Sequence, residues 1–208
     1  KMQYLIEKCD NWFHQIIPDI VLIPSLSFNI LEKKKSFYYL PPFIRDGLKV
    51  RTSVYDLKRI LVMLSGSQFK MSTDFLTKMQ IKKGIKIDVV GREGESNSRI
   101  QFHGKIYNNK NIINNADIMV INSGYSAISE AVVLCKPIIV IPVPNHAEQY
   151  INATTIEKAG LGIVANIKNV EEKINEMILH FPRYVEKHRS FNCSKNGAQL
   201  AADIIKKK

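Results

Sequence analysis

From residue 57 onward, apolar residues fall into short continuous runs, at 59–64, 85–90, 100–103, 118–121, 138–141 and 161–164. Runs of this kind, rich in β-branched residues and not alternating with polar ones, predict strands buried on both faces of a parallel sheet. Between them lie amphipathic stretches, at 72–83, 109–115, 125–134, 147–158 and 170–180. In the last, Val170, Ile174, Met177 and Ile178 recur at helical spacing, with Lys and Glu on the opposite side. Strand alternating with helix predicts right-handed crossovers and a Rossmann-like, doubly wound α/β layer. The first fifty residues read differently: strands are expected at 19–24 and 36–40, Pro41-Pro42 breaks the chain, and Arg45-Asp46-Gly47 turns after it. Beyond Pro182, 184–190 and 197–208 read as helices, the second ending in Lys206-Lys207-Lys208, which suits the negative end of its dipole. The expected organisation is therefore a residual N-terminal segment and connector (1–50), a nucleotide-binding layer (51–182) and C-terminal helices (183–208).

Composition narrows the function. The 208 residues are 45% hydrophobic and 24% charged, as in a soluble globular protein. Thirty Lys and Arg against 19 Asp and Glu give +11, which favours an anionic partner such as phosphate or an acidic lipid face. The cations are scattered in sequence with no interleaved aromatics, so nucleic acid is not expected. Cys9, Cys135 and Cys193 are widely spaced with no C-x-x-C pair, which fits a reducing compartment and neither a disulfide scaffold nor a zinc site. No apolar stretch approaches the ~20 residues that span a bilayer, and no signal peptide is visible. The chain opens on Lys1, so a piece of a longer polypeptide is expected.

Ligands of open α/β sheets bind beyond the carboxyl ends of the strands. Three strand-to-helix loops carry suitable chemistry. Leu64-Ser65-Gly66-Ser67-Gln68 offers backbone amides and a hydroxyl to an anion, although an ordinary capped turn has the same composition. Asn122-Ser123-Gly124-Tyr125-Ser126 opens a helix whose first amides can hold a phosphate. Glu130 lies about one and a half turns inside that helix, where a carboxylate can accept two ribose hydroxyls; a solvated helix Glu is the ordinary alternative. In the third loop, 142–153, Pro142 and Pro144 stiffen the chain before Glu148-Gln149, which together offer acceptors and donors to sugar hydroxyls. His146-x-Glu148 supplies two metal ligands without a third, so no metal is expected.

The order and spacing of these blocks resemble the donor-binding half of GT-B glycosyltransferases. The pattern runs Ala116-Asp117 through Ser123-Gly124, then Ser129-Glu130-Ala131, Lys136-Pro137, Glu148 through Ala153, and Glu157-Lys158-Ala159-Gly160. It is similar to the family of the lipid I N-acetylglucosaminyltransferase and, more distantly, to UDP-glucuronosyl and plant UDP-glycosyltransferases. That resemblance implies a UDP-sugar donor. Gly66 and Ser67 would meet its diphosphate, with Ser123, Gly124 and Tyr125 bordering the phosphates. The backbone of Ile106 would pair with the uracil, Glu130 would take the ribose hydroxyls, and Glu148 with Gln149 would hold the transferred sugar. Two departures weaken the implied phosphate grip: Asn122 stands where relatives often carry Arg or His, and Ala127 where a hydroxyl is common.

By the same resemblance, the reaction is inverting transfer of a hexosyl unit, N-acetylglucosamine first among candidates, to an acceptor hydroxyl without metal or other cofactor. The catalytic base stays unassigned, since relatives supply it from an N-terminal domain; His14 is not taken for it. A preceding acceptor domain or a separate acceptor subunit is expected as partner. A lipid-linked acceptor and contact with the cytoplasmic membrane face, through the 197–208 helix, fit the surplus of lysine. A UDP-N-acetylglucosamine 2-epimerase and a non-catalytic nucleotide-sugar-binding subunit are the alternatives.

Overall fold

Strands form where the continuous apolar runs lie. In the computed structural model, which describes residues 9, 12–13, 17–26, 33–34, 37–50, 56–64, 76, 79, 81–191 and 196–207, six strands make one parallel sheet. They are β4 (Arg59–Met63), β5 (Lys86–Val90), β6 (Ile100–Phe102), β7 (Ile118–Asn122), β8 (Ile138–Ile141) and β9 (Gly162–Val164). Their order is β6-β5-β4-β7-β8-β9, so successive connections run outward one way from β4 and the other way from β7. Register is continuous across the switch, with Ile60 beside both Ile87 and Ile118.

Helices α1 (Lys110–Asn115), α2 (Tyr125–Val133), α3 (Ala147–Lys158), α4 (Val170–Leu179) and α5 (Phe181–Ser190) follow the sheet strands. One sheet face, carrying Ile60, Val62, Ile87, Val120 and Ile139, packs with Ile174 and Met177 of α4 and with Phe181 and Val185 of α5. Beside β7, α2 buries Ile128, Ala131 and Val132. Helix α5 begins before Pro182, not after it, because proline in a first turn removes only an amide that has no helical partner. The expected helix at 72–83 falls largely outside the described residues.

Two of the sequence blocks prove to be helix stops. Lys136 N donates to Ala131 O at 2.8 Å and Cys135 N to Val132 O at 3.0 Å, the paired bonds that close a helix through a left-handed residue. That residue is Cys135, at φ +55°. The same closure ends α3, where Leu161 N reaches Ile156 O at 3.1 Å, Gly160 N reaches Glu157 O at 2.9 Å, and Gly160 sits at φ +69°.

The chain divides into two compact units, 44–194 and a smaller one of 1–43 with 195–208. These differ from the expected segments: α5 belongs to the larger unit, and the last helix joins the N-terminal strands. In the smaller unit β1 (Val21–Pro24) pairs parallel with β3 (Phe37–Leu40), and β2 (Lys33–Lys34) lies antiparallel to β3. Helix α6 (Gly197–Lys206) packs there with Gly197 N donating to Pro42 O at 3.0 Å; any Cβ at Gly197 would run into the Pro41 carbonyl.

Candidate functional site

Because all six strands of the larger unit are parallel, the loops after β6, β7 and β8 emerge on one side of the sheet. The order reverses between β4 and β7, and a crevice opens at such a switch point. Helix α2 starts in it. Its N-cap, Gly124, makes no side-chain cap bond, so the amides of Ser126 and Ala127 have no partner among the described residues. Ser123 is wholly buried, and its carbonyl accepts from Asn152 Nδ2 at 3.0 Å. An anion at this terminus would meet backbone amides and the positive helix end, beside the Ser123 hydroxyl, which is buried with no hydrogen-bond partner among the described residues.

Glu130 is not a solvated helix residue; it is 5% exposed. Its carboxylate is gripped on both oxygens by Arg45, Nε to Oε1 at 2.5 Å and Nη2 to Oε2 at 2.9 Å. Nη2 also reaches Asn109 Oδ1 at 3.0 Å, and Asn109 Nδ2 lies 3.1 Å from Met63 Sδ. One chain of contacts thus runs from the end of β4 through the loop after β6 to α2. The bond to Glu130 holds the Arg45 guanidinium above its ordinary pKa. Each carboxylate oxygen keeps a second lone pair, so a ribose diol can be accepted alongside the arginine. In the sequence Arg45 reads only as part of a turn. Nothing in its local pattern announces a partner 85 positions away.

The third loop is tied to the same place. Val143 N donates to Gln149 Oε1 at 3.0 Å, which pins the loop to the first turn of α3. Glu148 is exposed and its Oε1 accepts from Asn152 Nδ2 at 3.3 Å, the amide that also holds Ser123 O. Asn122 Nδ2 donates to Ile141 O at 3.1 Å, joining the ends of β7 and β8. Ile106, half-buried in the loop after β6, has no backbone hydrogen bond among the described residues. Tyr125 is half-buried at the start of α2. The structure thus brings Ile106, Gly124, Tyr125, Glu130, Glu148 and Gln149 to one end of the sheet. Gly66, Ser67 and His14 lie outside the described residues. No group of three metal-binding side chains occurs among those described.

Other residues of the sequence pattern hold the scaffold. Asp117 Oδ2 accepts from the amides of Lys58 and Arg59, both at 2.8 Å, fixing the entry to β7 against β4. Lys136 is 3% exposed and its ammonium caps the end of α1, donating to Asn114 O at 3.0 Å and to Ala116 O. Lys136→Met is expected to cost about 2–3 kcal/mol in urea unfolding, since it orphans buried carbonyls. Ligand affinity of the folded fraction should not change, and a matching loss of affinity would place Lys136 in the site.

Residues 66–207 match the Glycosyltransferase family 28 C-terminal domain. The chain belongs to that family. Among curated relatives of this glycosyltransferase domain, an uncharacterized glycosyltransferase of Methanopyrus kandleri is 22% identical over 78% of this chain and 54% of its own length. A UDP-N-acetylglucosamine--N-acetylmuramyl-(pentapeptide) pyrophosphoryl-undecaprenol N-acetylglucosamine transferase of Prochlorococcus marinus is 27% identical over 73% of this chain and 49% of its own. The chain spans about half the length of these relatives. The same fold occurs in the kitacinnamycin glycotransferase (TM-score 0.68, 18% identity, 92% of this chain and 55% of that one). It occurs also in MurG of Acinetobacter baumannii (TM-score 0.63, 15% identity, 93% and 62%). The Rossmann-like layer therefore has the fold of the C-terminal half of a GT-B glycosyltransferase.

Proposed function

We propose that this chain binds a UDP-sugar and serves as the donor half of a metal-independent, inverting hexosyltransferase, with N-acetylglucosamine as the first candidate sugar. The observation that carries the reading is the buried Glu130 carboxylate, oriented by Arg45 beside the uncapped start of α2. A carboxylate for a ribose diol and a helix terminus for a diphosphate are then neighbours, as one nucleotide requires. In the reaction the acceptor oxygen bonds to the anomeric carbon, the bond from that carbon to the diphosphate oxygen breaks, and UDP leaves with the electron pair. The acceptor's proton goes to a base that no described residue is assigned to be. Amides at the start of α2 stabilise the leaving charge without rearranging.

The printed name of the Prochlorococcus relative favours a lipid-linked acceptor, and with it a place at the cytoplasmic membrane face. No helix among the described residues is long and apolar enough to cross a membrane, and the contact proposed is a peripheral one. The acceptor-binding part is assigned to another domain or a separate subunit.

Calorimetric titration with UDP, UDP-N-acetylglucosamine, UDP-glucose and thymidine diphosphate tests the donor. UDP should bind, and UDP-N-acetylglucosamine more tightly. Glu148→Ala and Gln149→Ala should each weaken UDP-N-acetylglucosamine about 5- to 10-fold, the loss of one net hydrogen bond, with a smaller effect on UDP. Equal losses for both ligands would remove the sugar-holding role. Release of a 2-epimer from UDP-N-acetylglucosamine alone would favour the epimerase.

A further inference from the structure

The two edges of the six-stranded sheet are finished differently. At β6 the residues whose backbone faces outward are Ile100 and Phe102, and their groups are taken. Ile100 N donates to Asn97 Oδ1 at 2.9 Å, Ile100 O accepts from Asn97 N at 2.8 Å, and Phe102 N donates to Ser96 Oγ at 2.9 Å. At β9 alternate residues likewise face outward. Ala165 N donates to Val140 O at 2.9 Å, and the register with β8 then turns the amides and carbonyls of Gly162 and Val164 away from that strand. Those two amides and two carbonyls have no hydrogen-bond partner among the described residues. No proline or charged side chain within β9 guards them.

The open edge is recessed in a hollow of about 690 Å³. Gly162 is buried there, and the walls are the end of α3 on one sheet face and α4 with α5 on the other. A Cβ at Gly162 would run into Ile138 O and Ile156, so α3 packs close and leaves the backbone bare. A slot of this shape admits one extended chain; a second copy would bring its own helices against the rims before its β9 reached the floor. Exposed Lys158, Arg183 and Lys187 line the hollow with no ion pair among the described residues, against the carboxylates of Glu157 and Glu186. Lys173, also there, is already paired with Glu176 at 2.8 Å. With +11 on the whole chain, this balance attracts an acidic segment. We propose that the edge of β9 is a docking slot for an extended acidic segment of a partner protein, which joins the sheet as an added strand. Gly162 and Val164 hold its backbone, and Lys158, Arg183 and Lys187 meet its carboxylates. So short a ladder makes an exchanging contact, not a permanent subunit interface. The inference does not depend on the donor reading.

The test follows amide hydrogen exchange of the full chain with a short, end-blocked peptide alternating valine and glutamate, at millimolar concentration. The Gly162 and Val164 amides should exchange at least threefold more slowly with the peptide. Ile163, already bonded to β8, and Ile100 and Phe102, already capped, should not change. The same peptide with lysine in place of glutamate should leave all of them unchanged. Val164→Pro deletes one outward amide without touching the ladder to β8 and should abolish the protection of Gly162. Lys187→Glu, on the exposed side of α5, keeps the edge intact and should weaken peptide binding at least fivefold, which decides the matter even if the proline variant fails to fold. Absence of slowing at Gly162 and Val164, equal protection by the lysine peptide, or undiminished binding in Lys187→Glu would overturn the inference. A dimer in sedimentation that Val164→Pro dissolves would overturn it as well, since the occupant would then be a second copy. UDP calorimetry on the same samples should give the same affinity with and without peptide, and its failure would remove the donor reading while leaving the slot.

Discussion

Replacing Glu130 with Gln should weaken UDP binding by about 1–3 kcal/mol, roughly 5- to 150-fold, because a charged acceptor for two ribose hydroxyls becomes a neutral one. The same change alters the apo protein only slightly. Gln keeps one oxygen for Arg45, and the Arg45 side chain is 43% exposed, so solvent screening limits the loss of the ion pair to at most about 1 kcal/mol. Arg45→Ala supplies a second reading. If the arginine acts on UDP by aiming the carboxylate, the double variant should bind UDP no worse than Glu130→Gln alone. Additive losses would mean that Arg45 contacts the ligand independently, and unchanged UDP affinity in Glu130→Gln would remove the ribose assignment.

His188 should make the larger unit sensitive to acid. The ring is 1% exposed in α5, and Nε2 donates to Leu161 O at 2.6 Å, so the neutral form is built in. Burial pushes its pKa from 6.5 down to about 4, partly opposed by the Leu161 and Val132 carbonyls beside it. Cys135 Sγ lies 3.9 Å from the His188 carbonyl, and its thiol is pushed up by burial, so it adds no charge in this range. A depressed folded pKa means that the unfolded chain binds the extra proton, so stability is full above pH 6.5 and falls as pH drops toward 4. At about 1.4 kcal/mol per unit, the complete loss is about 3 kcal/mol, with about 2 kcal/mol gone by pH ~5. Urea unfolding at neutral and mildly acid pH checks this against His188→Gln, which can still donate to Leu161 O but cannot titrate. The variant should lack the extra acid sensitivity. Equal pH dependence in both proteins would show that the imidazole is not held neutral.

Most of the α/β layer was legible because parallel strands buried on both faces leave uninterrupted apolar runs. The runs at 59–64, 118–121 and 138–141 coincide with β4, β7 and β8 to within a residue. The Lys136-Pro137 and Glu157–Gly160 blocks were legible for a different reason. They belong to the pattern that carries the family resemblance, and in the structure they stop α2 and α3. The sequence puts Glu130 on its helix, but its pairing with Arg45 cannot be read locally, since the Arg45 segment shows only a turn. Gln149 likewise gave no sign that its oxygen would hold Val143. The two-residue strand β2 leaves no periodic trace, and the union of α6 with β3 depends on packing at Gly197, which no local pattern encodes.

The crystal structure of the UDP complex is the most direct measurement of the donor site. It should place the ribose hydroxyls on the Glu130 carboxylate with Arg45 still beside it, the diphosphate on the amides of Ser126 and Ala127, and the uracil edge on the Ile106 backbone. UDP bound away from Glu130, or density for it anywhere other than the carboxyl ends of β4, β6, β7 and β8, would contradict the account.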